Sequence, residues 1–183
     1  MLKFSLEKHE FILRHLSQTD TEKYLVFFNE LSEESIRCRF GYLLSELTES
    51  AAKQRTNGNT ESEKAVAIFD GHQNRIVAIG RCYLDDKTAD AEIALIVSET
   101  MRRLGLGRFL LDQLIKIAQE EKSRSISAFL ATKNAPIIKL LQSAGFLLES
   151  TRHGDDLKLV LKISPKHPNG TSHALKPPGP CFV

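Results

Sequence analysis

The sequence predicts an α/β (α+β) domain, a mixed, mostly antiparallel, twisted sheet flanked by helices, and three observations carry that expectation. Ala65-Val66-Ala67-Ile68-Phe69 and the run from Arg75 to Tyr83 are apolar and β-prone, and Asp70-Gly71-His72-Gln73-Asn74 separates them as a turn. A second turn, Asp85-Asp86-Lys87-Thr88, leads to a third run from Asp90 to Val97, so three consecutive antiparallel strands are expected. From Leu104 the period changes: Leu106, Phe109, Leu110, Leu114, Ile117 and Ala118 recur at helical spacing and would bury one stripe against the sheet. After this helix come a strand at 125–131, a helix at 134–144 with Ile137, Ile138, Leu140 and Leu141 as its apolar side, and strands at 146–149 and 156–163. That order, added to a meander, requires at least one parallel pair.

The remaining elements follow in chain order. The stretch 10–16 reads as a first strand. Ser17-Gln18-Thr19-Asp20 offers helix N-caps, and the helix behind it runs to about Glu30, burying Tyr24, Leu25, Phe27 and Phe28. Ser32 to Ser35 opens a second helix through Ile36 and Phe40 with a partial capping box, and 43–52 reads as a third helical piece. Together these make an apolar-faced helical lid. Residues 53–64, centred on Asn57-Gly58-Asn59, read as a mobile loop, and Gly145 fits a left-handed C-cap.

A chain of 183 residues suits one domain with a sizeable core, here 1–163. Five of the six prolines lie beyond Ser164, and no apolar period survives there, so 164–183 reads as a disordered tail. A net charge of +2 is too mild to argue for nucleic acid or an anionic membrane. Cys38, Cys82 and Cys181 are odd in number and lack ligand spacing, so neither a disulfide framework nor a metal site is expected. With no apolar signal core and no run of membrane-spanning length, the chain is expected to be cytoplasmic.

The stretch Arg102-Arg103-Leu104-Gly105-Leu106-Gly107-Arg108 lies between a β-rich run and a helix. A turn there leaves several helix-start N–H groups aimed outward, which makes an anion cradle. Glycine lets a phosphate approach the main chain closely, and arginine adds charge, so a pyrophosphate is the expected ligand. A dinucleotide fingerprint needs a third small residue where Leu110 stands, and a Walker A loop needs Gly-Lys-Ser/Thr, which is absent.

Arg102-x-x-Gly105-x-Gly107 after a strand, Asn134 some thirty residues on, and Gly145-Phe146 closing the next helix resemble the acetyl-CoA-binding core of GCN5-related N-acetyltransferases (GNAT), over roughly 65–163. Leu31-Ser32-Glu33-Glu34-Ser35-x-x-x-Arg39-Phe40, Gly80-Arg81 and Ala91-Glu92-Ile93-Ala94 are similar to the branch containing bacterial Pat-type protein-lysine acetyltransferases. That resemblance implies acetyl-CoA as co-substrate, without a metal, and an amine acceptor, with protein lysine favoured over a small amine. It also implies that the strand before the glycine turn splays from its neighbour and offers main-chain groups near Leu95 and Val97 to the pantetheine arm. The Asn134 side chain would bind the same arm; as an unrelated alternative, Asn134 suits a helix N-cap.

An attacking amine must first lose a proton. Glu92 is the candidate base, because a carboxylate inside an apolar strand is partly desolvated and its pKa rises. The alternatives are a solvated strand face or a pair with Arg81. A turn symmetric about Asp86 and Lys87 would set Glu92 opposite Arg81, which would weaken it, or opposite Cys82, which would open an acetyl-cysteine route. Direct transfer in a ternary complex is favoured. Many relatives place a tyrosine in the helix before Gly-Phe to protonate the leaving thiolate; this chain has Leu141 there, and water is the expected substitute. Glu33, Glu34, Glu46, Glu49, Asp155 and Asp156 are candidates to attract a cationic acceptor. A degenerate acyl-CoA-binding regulatory module is the reading from a different class.

Overall fold

The computed structural model of the protein describes residues 1–40, 47–131, 134–149 and 156–163. Eight strands form a single sheet in the order β1-β2-β3-β4-β5-β6-β8-β7. They are β1 (Leu2–Leu6), β2 (His9–His15), β3 (Glu63–Asp70), β4 (Ile76–Asp85), β5 (Asp90–Val97), β6 (Ser125–Ala131), β7 (Leu147–Glu149) and β8 (Asp156–Lys162). Five helices accompany them: α1 (Thr21–Asn29), α2 (Glu33–Phe40), α3 (Glu49–Thr56), α4 (Leu106–Glu120) and α5 (Ala135–Ser143). Every registered strand pair is antiparallel except β5 with β6, as the order of elements requires. The expected mixed, mostly antiparallel sheet is therefore present.

Three local expectations need correction. The first strand has a partner before it: β1 pairs with β2 from Leu2↔Leu13 to Leu6↔His9, and the link is the dipeptide Glu7-Lys8. Both of its residues have positive φ, 45° and 71°, as a tight hairpin turn demands, yet neither is Gly or Asn, so the sequence signal is missing. The third helix lies further along than 43–52. It starts after Thr48, whose hydroxyl accepts from the Ala51 N–H at 3.2 Å, and runs to Thr56, so the expected loop 53–64 is shortened from its front. Residues 41–46 are outside the described residues, as is the proline-rich segment 164–183.

The sheet has two covered faces. On one, α4 lays Leu106, Leu110, Leu111 and Leu114, all fully buried, against Val77, Cys82, Ile93, Ile126 and Leu159. Full burial of each such leucine is worth roughly 1.5–3 kcal/mol. Gly80 allows this approach, since a Cβ there would come to 3.0 Å of Leu110 and Leu114 methyl groups. On the other face, Tyr24, Phe27 and Phe28 of α1 and Ala52 of α3 cover Ala65, Ala67, Phe69 and Ile79. Leu25, expected inside, is only partly buried there.

α5 ends in a Schellman arrangement: the Phe146 N–H reaches the Leu141 carbonyl at 3.1 Å, the Gly145 N–H reaches Gln142 at 3.0 Å, and Gly145 has φ +90°. This seats Phe146 and Leu141 in the core beside α4.

Candidate active site

The parallel pair is brief. β5 and β6 register only at Asp90↔Ser125, Ala91↔Ile126 and Glu92↔Ser127, although β5 continues to Val97 and β6 to Ala131. Beyond Glu92 the two strands part. The Ser98 N–H donates to the Val77 carbonyl at 2.9 Å, which fixes the hydrogen-bonding phase between β4 and β5. By alternation Glu92, Ala94 and Ile96 turn their main-chain groups toward β4, while Ile93, Leu95 and Val97 turn theirs into the gap. The two residues expected to offer backbone groups, Leu95 and Val97, thus lie on the open edge.

The glycine turn closes one end of this gap. After β5 comes a 3₁₀ turn, Glu99–Met101, and then Arg103 and Gly105 both take left-handed conformations, φ 66° and 83°. Gly105 is the N-cap of α4 and has no side chain to satisfy the helix, and the first turn of α4 holds no acidic residue. The N–H groups of Leu106, Gly107 and Arg108 have no acceptor within the helix and share its positive end. A Cβ at Gly107 would stand 3.4 Å from Leu140 of α5 and add bulk beside these donors. An uncapped helix start flanked by glycine fits an anionic pyrophosphate group.

The side chains of the turn divide, and the arginines expected to add charge to the cradle take different partners. Leu106 is buried and Leu104 packs on the core, so each offers the ligand main chain only. Arg108 bonds Asp112 at 3.0 Å and reaches Ser143 of α5 at 3.3 Å, tying α4 to α5. Arg102 turns toward the lid: its Nη2 donates to the Ser35 hydroxyl at 2.7 Å and its Nε to the Val97 carbonyl at 3.3 Å. Arg103 is exposed. Asn134 does occupy the N-cap position of α5, but its half-buried side chain makes no capping bond.

The register between β4 and β5 corrects the expected surroundings of Glu92. Asp85 pairs with Asp90 and the Ala89 N–H closes on the Asp85 carbonyl at 2.8 Å, with Ala89 at φ 56°. The turn is centred between Lys87 and Thr88, later than symmetry about Asp86 and Lys87 supposes, and Glu92 faces Tyr83. Arg81 instead faces Ala94, and its guanidinium is held by the Glu63 carboxylate and, at 2.6 Å, by the Arg55 carbonyl. Cys82 faces Ile93 and is buried under α4, on the opposite side of the sheet from Glu92. Burial pushes its thiol up to about 11, with Glu121 adding to the rise. A covalent route through Cys82 has neither the geometry nor the thiolate.

Glu92 itself is solvent-accessible at the point where the strands part, while its carboxyl is hemmed in enough for burial to raise its pKa above the ordinary 4.5. The nearby charge of Arg39, on α2, works against that rise. Tyr83 borders Glu92 on the β4 side, away from the gap. Leu141 is buried and apolar, so it supplies no proton.

Among the suggested acidic attractors, Glu33, Glu34 and Glu49 are exposed in the first turns of α2 and α3, and Glu46 and Asp155 lie outside the described residues. A depression of about 210 Å³ lined by Asp85, Asp86, Asp90 and Glu121 opens near the β4–β5 turn, and no predicted site residue lines it. Among the described residues no group of three or more His, Cys, Asp or Glu is placed to hold a metal ion. Sequence reasoning took Ser32 and Ser35 as a partial capping box, which the Ser35 N–H bond to the Ser32 hydroxyl bears out, but did not single out Glu99, which joins both serines to the turn; no spacing rule marks such a long-range contact.

Known proteins share this fold. The model of the Acetyltransferase (GNAT) family matches residues 28–146. The GNAT domain of S. lividans PAT superposes with a TM-score of 0.79 at 20% identity, over 88% of this chain and 96% of that one. A GNAT superfamily phosphinothricin acetyltransferase (Pat) from Sinorhizobium meliloti, solved with AcCoA, gives 0.70 at 15% identity, over 91% and 96%. Spermidine N-acetyltransferase from Vibrio cholerae, solved with CoA and spermine, gives 0.68 at 14%, over 83% and 95%. At these identities the likeness is one of fold. "Putative phosphinothricin acetyltransferase YwnH" of Bacillus subtilis (strain 168) is 36% identical over 56 residues, 31% of this chain and 34% of that protein. The chain is thus matched to about a third of the length of that curated relative. With a family match across more than half its length, the chain belongs to the Acetyltransferase (GNAT) family.

Proposed function

We propose that the protein acetylates a primary amine, with a protein lysine side chain as the favoured acceptor, by direct attack in a ternary complex. The observation that carries this reading is the place of Glu92: at the apex of a wedge whose open edge runs through Leu95 and Val97 to the glycine turn. The main-chain N–H groups from Gly105 to Arg108 hold the pyrophosphate, the β5 edge and Asn134 hold the pantetheine arm, and the thioester comes to rest beside Glu92. Arg102 and Arg103 add positive charge at the mouth.

A lysine-like amine has a pKa of about 10.4 and reaches the site charged. Glu92 takes its proton, the freed lone pair attacks the thioester carbonyl, the C–N bond forms and the C–S bond breaks. The nitrogen's second proton leaves as the amide forms and passes through water to the departing thiolate, since Leu141 offers none and a thiol is a moderate leaving group. The surface beside Glu92 supports a polypeptide acceptor: Phe129, two residues beyond Ser127 on the same face of β6, is half exposed.

The runner-up is a small amine. The short match to a phosphinothricin acetyltransferase and the fold shared with a spermidine acetyltransferase favour it. Incubation with acetyl-CoA and matched libraries of small amines, phosphinothricin and spermidine among them, and of cellular proteins, followed by mass gain, separates the two. Acetylated lysines with no small-amine turnover support the favoured acceptor, and the reverse pattern supports the runner-up. A protein that binds acetyl-CoA yet is inert toward every amine would instead be an acyl-CoA-binding module.

A further inference from the structure

Glu99, in the 3₁₀ turn after β5, reaches back to the start of α2. Its Oε1 accepts from the Ser32 N–H at 3.1 Å, the Ser32 hydroxyl at 2.7 Å and the Ser35 hydroxyl. Against the effect of burial, hydrogen bonds from Ser35 and Ser32 hold this carboxyl down at about 2. Its Oε2 is different: it is buried and has no hydrogen-bond partner among the described residues. A buried carboxylate oxygen left unpaired is costly, and a guanidinium is the group best shaped to cover both oxygens at once. The Arg102 guanidinium already pairs with Glu99 through one corner only: its Nη2, which donates to Ser35 at 2.7 Å, lies 3.4 Å from Oε1, while its Nε is spent on a long 3.3 Å bond to the Val97 carbonyl and Oε2 is left uncovered.

That carbonyl lies on the open β5 edge. If the pantetheine arm runs along this edge, as the proposed function holds, an amide of the arm and Arg102 compete for one acceptor. The group displaced has a destination beside it. We propose that seating the coenzyme frees the Arg102 Nε from Val97 and turns the existing one-cornered contact with Glu99 into a clasp on both carboxylate oxygens, making Glu99 a positioning residue that locks α2 against the glycine turn. α2 packs on β5 and β6 and carries Arg39, whose charge is felt by Glu92. The acceptor side of the site is then completed only after the donor is in place, and by linkage a firmer α2 raises coenzyme affinity by the same factor.

The test measures amide exchange of α2 (33–40) with and without coenzyme A, with calorimetry on the same samples to report binding. In the wild type, saturating coenzyme A is expected to slow α2 exchange about tenfold, the scale of one charge-assisted hydrogen bond. In Glu99→Gln, coenzyme A still binds and the slowing falls below about twofold, because the orphan carboxylate oxygen is gone. Arg102→Lys leaves Glu99 and its serine bonds in place but cannot span both oxygens, so it loses the slowing too. This second variant separates the switch from a simple weakening of the α2 terminus. A wild type that binds coenzyme A with unchanged α2 exchange, or variants that keep the full slowing, overturns the switch and leaves the donor site standing. A wild type that binds no coenzyme A overturns the placement of the arm and the switch with it.

Discussion

Glu92 and Ser127 are the last registered pair between β5 and β6, and directly beyond them the strands separate. A carboxylate at such an apex has protein on the closed side and an opening on the other, which explains how it is both accessible and raised in pKa.

Glu92→Gln keeps the shape of the side chain and removes the proposed base. Turnover is expected to fall about 10²–10⁴-fold, with coenzyme A affinity held within about twofold. The raised pKa sets the pH signature: wild-type kcat/KM falls on the acid side as pH drops through a value above 4.5, because the carboxylate is needed and exists only above it. That limb disappears in the variant. Stability responds with the opposite sign, since a raised carboxyl favours the folded protein below its unfolded pKa and loses that contribution as pH climbs through the folded value. A pH profile identical in both proteins would point to another base.

Asn134→Ala tells a coenzyme ligand from a cap. A working N-cap costs about 1 kcal/mol to remove, whereas the Asn134 side chain makes no capping bond, so the expected loss of stability is under about 0.5 kcal/mol. Coenzyme A binding should weaken about three- to tenfold. Denaturation and calorimetry on one preparation measure both; a large stability loss with unchanged binding would return Asn134 to a structural role.

Gly105→Val is expected to cost about 1–3 kcal/mol and at least about tenfold in coenzyme A affinity. The cause is the backbone at φ 83°, since the nearest atom to an added Cβ, a Leu6 methyl, is 3.8 Å away. Arg103, at φ 66°, offers the converse: Arg103→Gly should relax the turn and gain up to about 1 kcal/mol in thermal denaturation.

Cys82→Ala should retain turnover within about twofold and lose roughly 1 kcal/mol from thinner packing under α4. Loss of all turnover with the coenzyme still bound would revive the acetyl-cysteine route.

Glu99→Gln should flatten the acid side of the stability curve. A carboxyl held at about 2 in the folded protein, against 4.5 ordinarily, contributes stability that is full above about 4.5 and is lost as pH falls toward 2. Urea melts at steps across that window measure the difference, and parallel curves for both proteins would contradict it.

The strands and helices that position the site were legible because their apolar periods are strong: β5 and β6 fall on the expected residues, and α4 and α5 lie within a few residues of them. The gap edge at Leu95 and Val97 was legible through the family resemblance. What failed rested on turns. The Glu7-Lys8 hairpin lacks the glycine or asparagine that announces positive φ, and Ala89, also at positive φ, shifts the β4–β5 register enough to exchange the expected neighbours of Glu92 for Tyr83. A shift of that kind changes which side chains share a face, so the competing fates of Arg81 and Cys82 could be settled only by the register itself. Ser32 and Ser35 were legible as a helix cap, but Glu99 meets them from more than sixty residues away and leaves no local trace.

The hairpin that the sequence concealed bears on the coenzyme cradle. Phe4 of β1 stacks on Phe109 in the first turn of α4 with ring centroids 3.8 Å apart, and Leu6 is the neighbour of Gly105. The proposed pyrophosphate site is therefore backed by Phe4 and Leu6 of β1. A protein trimmed to its family-matched core, residues 28–146, would keep every residue of the glycine turn and still present the donor with a loosened α4.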